Sequence, residues 1–202
     1  MTSIDEVKSS YARLVVAIGG SCDERLIEAF SSVDRQRFVG PGPWSIYTLE
    51  GYVSTDSDDP TVLYQDILIG LITDRFLNNG PPSLHARCFA ALNVAPGSSV
   101  VHVGAGTGYY TAVLAHLVGT SGVVRAYEVD PELAQKAARN LADFAHVTVS
   151  GVSGASGCLP MSDIIYVSAG ATHPTPTWLD ALKPNGRLLF PLTPNRGWGQ
   201  CC

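Results

Sequence analysis

One stretch, Val100-Val101-His102-Val103-Gly104-Ala105-Gly106-Thr107-Gly108-Tyr109, constrains the fold more than any other part of the chain. Its first residues read as an apolar strand, its closely spaced glycines as a turn, and the run that begins at Tyr109 as a helix. Glycines in such a turn take backbone angles closed to other residues and let a ligand approach the main chain where a Cβ would block it. Strand, glycine turn and helix together make a nucleotide-cofactor site. The spacing narrows the ligand: a dinucleotide G-x-G-x-x-G beginning at Gly104 needs glycine at position 109, where Tyr109 stands, so the pattern is G-x-G-x-G and a nicotinamide dinucleotide is disfavoured.

The next segment completes the unit. Gly122 to Asp130 is a second apolar strand whose acidic tip, Glu128, comes twenty positions after Gly108 and is followed by Val129. A carboxylate there can hold two ribose hydroxyls. Pro131 opens a helix that runs through Asn140, with Leu133, Ala134, Ala137, Ala138 and Leu141 on the buried side. The alternation continues with strands at His146–Val152 and Asp163–Ala169, a short helix at Trp178–Leu182 and a fifth strand at Gly186–Leu192. Such continuous apolar runs suit a parallel sheet covered on both faces. The predicted fold class is therefore α/β, a Rossmann-like sheet with helices on both faces and an N-terminal helical cap.

That cap is read from two capping-box patterns, Ser3-Ile4-Asp5-Glu6 and Ser21-Cys22-Asp23-Glu24, which predict helices over 4–17 and 22–33. Residues 39–62 are rich in Gly, Pro, Ser and Asp and read as loops, Tyr64 to Ile72 as a short strand, and Ser83 to Leu92 as a helix. A chain of 202 residues, 46% hydrophobic, can bury an α/β core as one domain: 1–85 as cap and acceptor-side segment, 86–192 as cofactor-binding core, 193–202 as tail. Thirteen basic against 18 acidic residues, a net charge of −5, leave no electrostatic footprint for nucleic acid. The start of the chain lacks the basic and apolar regions of a signal peptide, and no stretch approaches the roughly 20 apolar residues of a membrane span. A cytoplasmic protein without membrane partners is expected. Cys22, Cys88 and Cys158 lack ligand spacing and read as reduced thiols; Cys201-Cys202 read as a terminus without a metal or redox role, and no metal site is expected.

With these residues in view, the chain resembles class I S-adenosylmethionine-dependent methyltransferases, and within them the protein-L-isoaspartate O-methyltransferase family. Arg37-Phe38-Val39 resembles that family's R-x-F-V segment. Val103-Gly104-Ala105-Gly106-Thr107-Gly108-Tyr109 followed by Ala112-Val113-Leu114-Ala115 is similar to its cofactor motif and first helix, and Pro184-Asn185-Gly186-Arg187-Leu188 with Phe190-Pro191 to the entry of its fifth strand. The resemblance implies S-adenosyl-L-methionine as cofactor, S-adenosyl-L-homocysteine as product, and O-methylation of a carboxylate on a peptide or protein, of the isoaspartyl type. It places Asn78, Asn79, His85, Gly104, Ala105, Gly106, Thr107, Gly108, Tyr109, Glu128, Val129, Val152 and Ser153 at the cofactor. Ser168, Ala169 and Thr172, at and just past the end of the fourth strand where open α/β sheets hold their substrates, are expected at the substrate.

Two positions depart from the family pattern. Its T-I-S-x-P segment, whose serine lies beside the transferred methyl, corresponds here to Asn78-Asn79-Gly80-Pro81-Pro82, so Gly80 takes the serine's catalytic position and Ser83, Asn79 or His85 is left to substitute. The family's G-D-G, with its aspartate on the adenine amino group, corresponds to Gly151-Val152-Ser153. The family also continues into two further strands, so a chain ending at Cys202 is expected to present an open sheet edge suited to oligomer formation.

The chemistry agrees with a carboxylate acceptor. In-line methyl transfer requires holding nucleophile and carbon at roughly 3 to 3.5 Å. A carboxylate with a reference pKa of about 4 is already ionised at neutral pH and needs no general base. A magnesium-dependent catechol enzyme would place acids at the end of the fourth strand, where Ser168-Ala169-Gly170-Ala171-Thr172 stands instead, and the Asn/Asp-Pro-Pro-aromatic motif of nucleobase amino methyltransferases is missing there. The alternatives that remain are methylation of another small or peptidic carboxylate, and a cofactor-binding module without turnover. Of the other candidates, His102 reads as a packed core histidine, His173 as a substrate contact or a solvated loop residue, His116 and His146 as surface or strand-end residues, and Trp44, Trp178 and Trp198 as packing residues. Tyr109 and Tyr110 open the first helix, one to cover the cofactor's methionine arm and the other to pack in the core.

Overall fold

The structure, a computed structural model, describes residues 3–193 and the backbone of 200–201. The chain divides into two compact units, Met1–Ala91 and Leu92–Cys202.

The first unit begins with a helix pair, α1 (Ile4–Ile18) and α2 (Glu24–Ser32). The first predicted capping box forms: Ser3 Oγ accepts the Glu6 N–H while Glu6 accepts the Ser3 N–H at 2.8 Å. The second does not, because Asp23 caps α2 by accepting the Arg25 N–H at 2.9 Å. A further short helix, α3 (Arg35–Val39), follows Asp34 as its cap. The apolar faces meet in an aromatic cluster in which Tyr11 lies edge-on to Phe30 at 6.5 Å and to Tyr64 at 5.6 Å, and Phe30 lies 6.4 Å from Phe89.

The segment read as loops contains a hairpin, β1 (Ser45–Thr48) with β2 (Gly51–Ser54), and only Gly70–Ile72 of the predicted Tyr64–Ile72 strand is extended, as β3 paired with β4 (Leu77–Asn78). Helix α4 (Pro82–Leu92) closes this unit. What holds the irregular 63–67 turn is Arg35. It is fully buried, its guanidinium stacks over the Tyr11 ring at 5.3 Å, and it donates to the carbonyls of Leu63, Gln65 and Ile67. Three carbonyls that no strand could pair are thereby satisfied.

The second unit is the predicted Rossmann-like α/β fold. A five-stranded sheet has the order β7-β6-β5-β8-β9, made of β5 (Ser99–Val103), β6 (Val123–Tyr127), β7 (Val147–Ser150), β8 (Ser162–Val167) and β9 (Leu182–Leu189). All its pairings are parallel. Chain order runs outward from β5 to β7 and then resumes on the other side with β8, so the topological switch point lies between β5 and β8. Helix α5 (Tyr109–Val118) follows β5, α6 (Pro131–Asn140) follows β6, and α7 (Pro176–Asp180) precedes β9. Nearly every residue of α5 is buried, as expected of a helix apolar all round, and His116 is its exposed residue.

Alternation along β5 assigns the two faces. Val101 and Val103 pack with Ile165, Val167, Trp178 and Phe190, whereas His102 points the other way to bond Thr111 of α5. The short helix read at Trp178–Leu182 is displaced to 176–180, and Leu182 already belongs to β9. One residue lies between Ser162 and Ile164 of β8, whereas four lie between their partners Leu182 and Arg187 of β9, Asn185 among them at φ +64. Beyond Leu189, Pro191–Leu192 (β10) pairs antiparallel with Gln200–Cys201 (β11) outside the main sheet. Trp198 and the side chains of Cys201 and Cys202 lie outside the described residues.

Candidate functional site

The carboxyl ends of β5, β6 and β7 carry the predicted cofactor residues of the second unit, and that of β8 the predicted substrate residues. Leaving β5, the chain folds back at once: the Gly104 and Ala105 N–H groups both donate to the Tyr127 carbonyl, at 2.8 and 3.1 Å. Gly104, Gly106 and Gly108 have φ of +78, +57 and +97, the left-handed values that glycine alone takes at little cost. A Cβ on Gly108 would lie 2.8 Å from Leu141 Cδ1, so glycine there also allows the start of α5 to approach the end of α6. Asn140 Nδ2 donates to the Thr107 carbonyl at 2.9 Å and fastens the loop from the same side.

Glu128 anchors the turn. One carboxylate oxygen accepts the Gly106 N–H at 2.7 Å, the other the Asp130 N–H at 3.0 Å, and the residue is only 7% exposed. Each carboxylate oxygen has two acceptor positions, so each keeps one for a ligand hydroxyl. Asp130 turns its side chain to the Glu132 and Leu133 N–H groups and caps α6. Val129 and Val152, which follow the ends of neighbouring strands β6 and β7, are 69% and 55% exposed. Exposed apolar side chains beside a carboxylate with two open acceptor positions suit a ligand that pairs a flat ring with a diol.

Across the switch point, Ser168, Ala169 and Thr172 are exposed just past β8. They adjoin the glycine turn, since a Cβ on Gly104 would sit 3.4 Å from the Ala169 nitrogen. The Thr172 hydroxyl lies 2.9 Å from His173 Nδ1. Ala105, Thr107, Tyr109 and Tyr110 are buried, and the two tyrosines pack edge to face at 4.9 Å. Ser153 bonds back to the Ala155 N–H and belongs to its own loop. That loop is held by a contact the sequence did not signal: Trp178 Nε1 donates to the Gly154 carbonyl at 2.8 Å, and a Cβ on Gly154 would lie 2.8 Å from Val103 Cγ2. Sequence reasoning assigns no role to Thr111 either; an aliphatic hydroxyl in the largely apolar run 109–118 is its signal.

The remaining predicted residues lie in the first unit. Asn78 Oδ1 accepts the Gly80 N–H at 2.9 Å and its amide donates to Tyr52 Oη at 3.0 Å. Asn79 Oδ1 accepts the Ile69 N–H at 2.8 Å. Ser83 is committed to Asp66, which accepts its N–H at 2.8 Å and its hydroxyl at 2.6 Å. Gly80 has φ +69, and a Cβ built on it would meet His85 Nε2 at 2.5 Å. His85 is buried and lies edge-on to Phe89 at 6.2 Å.

At the opposite, amino ends of the strands, Asp163 accepts the Ser99 N–H and hydroxyl at 2.8 and 2.6 Å and pairs with Lys183 at 2.9 Å. The Ser99 bonds foremost, with Lys183, lower its pKa to about 2. Among the described residues, no group of three His, Cys, Asp or Glu side chains is placed to hold a metal, and no helix is long and apolar enough to cross a membrane.

A parallel sheet whose order reverses between β5 and β8, with a glycine turn after β5 and a carboxylate at the tip of the neighbouring β6, defines the class: a Rossmann-like methyltransferase fold. The family follows from comparison. The model of the protein-L-isoaspartate(D-aspartate) O-methyltransferase family matches residues 16–200, and the chain belongs to that family. A protein-L-isoaspartate O-methyltransferase of Methanothrix thermoacetophila is 30% identical over 89% of this chain and 79% of its own length. One from Thermotoga maritima is 26% identical over 84% of this chain, which spans only half of that protein. A crystal structure from Plasmodium falciparum, assigned as a protein-L-isoaspartate O-methyltransferase and in complex with S-adenosyl-L-homocysteine, superposes with a TM-score of 0.72 at 20% identity, over 93% of this chain and 85% of that one. At that identity the likeness is one of fold.

Proposed function

We propose that this chain binds S-adenosyl-L-methionine and methylates a carboxylate on a peptide or protein, of the isoaspartyl type. The observation that carries the reading is the Glu128 carboxylate, which ties the glycine turn to the tip of β6 with one backbone bond to each oxygen and so leaves each oxygen the capacity for a second. Those positions suit the two ribose hydroxyls, with exposed Val129 and Val152 beside them for the adenine ring. When bound, the cofactor supplies a methyl group on a sulfonium. In this reading Gly104, Ala105, Gly106, Thr107, Gly108 and Tyr109 form the wall against which it lies, and Ser153 flanks its base. Ser168, Ala169 and Thr172 contact the acceptor. In the first unit the resemblance assigns Asn78, Asn79 and His85 to the cofactor and Gly80 and Ser83 to the catalytic segment. No residue needs to remove a proton, since the acceptor carboxylate is ionised; the protein's work is alignment and exclusion of water.

Repair of damaged proteins in the cytoplasm is the setting this activity implies. A second reading, methylation of a different peptidic carboxylate, is favoured by Gly80 and Val152, which stand where the family carries a serine and an aspartate. S-adenosyl-L-homocysteine binding measured by calorimetry, with Glu128→Ala as control, tests the cofactor assignment. An isoaspartyl-peptide methylation assay on the same sample tests the acceptor. Binding that Glu128→Ala abolishes, with peptide turnover, supports the first reading; binding without isoaspartyl turnover favours the second; no binding overturns both.

A further inference from the structure

His102 lies within β5, 1% exposed, stacked at 5.2 Å and 27° on Tyr166 of β8. Its ring is engaged at both ends. Nδ1 is 2.8 Å from Thr111 Oγ1 in α5, and Nε2 is 3.0 Å from Ser168 Oγ. Thr111 is completely buried, whereas Ser168 is exposed at the carboxyl end of β8, at the switch point. The three groups form a line of hydrogen bonds that begins inside the protein and has one open end, the Ser168 hydroxyl. Burial lowers the His102 pKa to about 3, so the ring is neutral near neutral pH. A neutral imidazole has one N–H and one lone pair, so the two hydroxyls beside it cannot play the same part.

We propose that His102 is a positioning residue: it donates from Nε2 to Ser168 Oγ and so turns the Ser168 O–H toward the acceptor carboxylate. The inference rests on the carboxylate-methylating reading above. Its direction follows from the two tautomers. With the proton on Nε2, Nδ1 accepts the Thr111 O–H and the Ser168 proton remains available to an anion. With the proton on Nδ1, Ser168 donates to the ring and presents lone pairs to the carboxylate, which repel it. No proton is transferred, and the line of bonds orients a donor.

The test is a double-mutant cycle on steady-state peptide methylation, using Ser168→Ala, His102→Asn and the pair, with S-adenosyl-L-homocysteine affinity measured for each. Asn retains an amide near Nδ1 and withdraws from Ser168. Each single change is expected to raise KM for an isoaspartyl peptide about tenfold, the worth of one hydrogen bond to a charged group, and the double change to be no worse than either. His102→Gln, which restores a donor near Nε2, is expected to recover most of the loss. Nitrogen-15 NMR of the wild-type ring should show the Nε2–H tautomer, with that resonance moved by Ser168→Ala. The exposed Ser168→Ala and the wild-type tautomer decide the matter even should His102→Asn fail to fold. Additive effects on KM, or an Nδ1–H tautomer, overturn the relay and leave carboxylate methylation standing. A wild-type chain that binds no S-adenosyl-L-homocysteine, or binds it and methylates no peptide carboxylate, overturns the underlying reading and the relay with it.

Discussion

His85 Nε2 lies 2.5 Å from the point that a Cβ on residue 80 would occupy. Gly80 is therefore more than a missing hydroxyl: the imidazole takes the room of a side chain there, and the backbone holds φ at +69. Gly80→Ser is expected to destabilise the protein by about 2 kcal/mol, from a left-handed non-glycine residue and a displaced ring. In a His85→Ala background, measured against that variant alone, Gly80→Ser should cost roughly half as much, since the clash is gone and the backbone strain remains. Urea unfolding of the four proteins measures both costs, and equal losses in the two backgrounds would show that the ring yields without cost.

Gly108 gives the prediction for the cofactor turn. With φ +97, and with Leu141 Cδ1 only 2.8 Å from where an added Cβ would sit, Gly108→Ala strains the turn and must displace the Leu141 side chain or the turn itself. We expect S-adenosyl-L-homocysteine affinity to fall at least about tenfold, equivalent to roughly 1.4 kcal/mol. Calorimetry beside wild type checks this, and unchanged affinity would mean that the turn lies outside the binding surface.

Arg35 should be the most sensitive position in the first unit. Its guanidinium serves the carbonyls of Leu63, Gln65 and Ile67 at once, and a lysine ammonium cannot span that fork. Arg35→Lys is expected to cost about 3 kcal/mol through a buried cation that no longer reaches all three carbonyls, and Arg35→Ala more. A loss below about 1 kcal/mol in chemical denaturation would show that water replaces the arginine readily.

These cases show what could be read from the chain alone. The Rossmann-like body was legible because its signals are local: glycines spaced two apart, Glu128 ending an apolar strand, and Pro131 opening a helix. The β1–β2 hairpin was not, because its strands are short and its neighbours are turn formers, so composition outweighed the weak alternation of Ser45–Thr48. The role of Arg35 was hidden for another reason. Its partners lie about thirty residues downstream and are backbone carbonyls, which no residue identity announces. Thr111 and Ser168 flank His102 only once β5, α5 and β8 are assembled, so a histidine legible as buried gave no sign of what it touched.

The acid limb of stability should carry the signature of His102. Its folded pKa of about 3 lies below the unfolded value of about 6.5, so between those values the unfolded chain binds the extra proton. Stability attributable to this group is then full above about pH 6.5 and is lost as pH falls toward 3, with a slope of up to about 1.4 kcal/mol per pH unit. The Asp163 contribution is lost lower, between its ordinary 3.8 and about 2, so denaturation midpoints from pH 6.5 to 4.5 separate the two. His102→Gln should flatten this interval, and an undiminished slope would assign it to other groups.

Asp163, Ser99 and Lys183 stand at the starts of three adjacent strands, β8, β5 and β9, and bind one another. The end of the sheet remote from the glycine turn thus carries its own fastening, and strand alignment there owes nothing to the loops that would meet ligands. Residues at the opposite end, Val152 among them, can be exchanged without placing the order of the strands at stake: the architecture is secured at one rim, and the loops at the other are left free to vary.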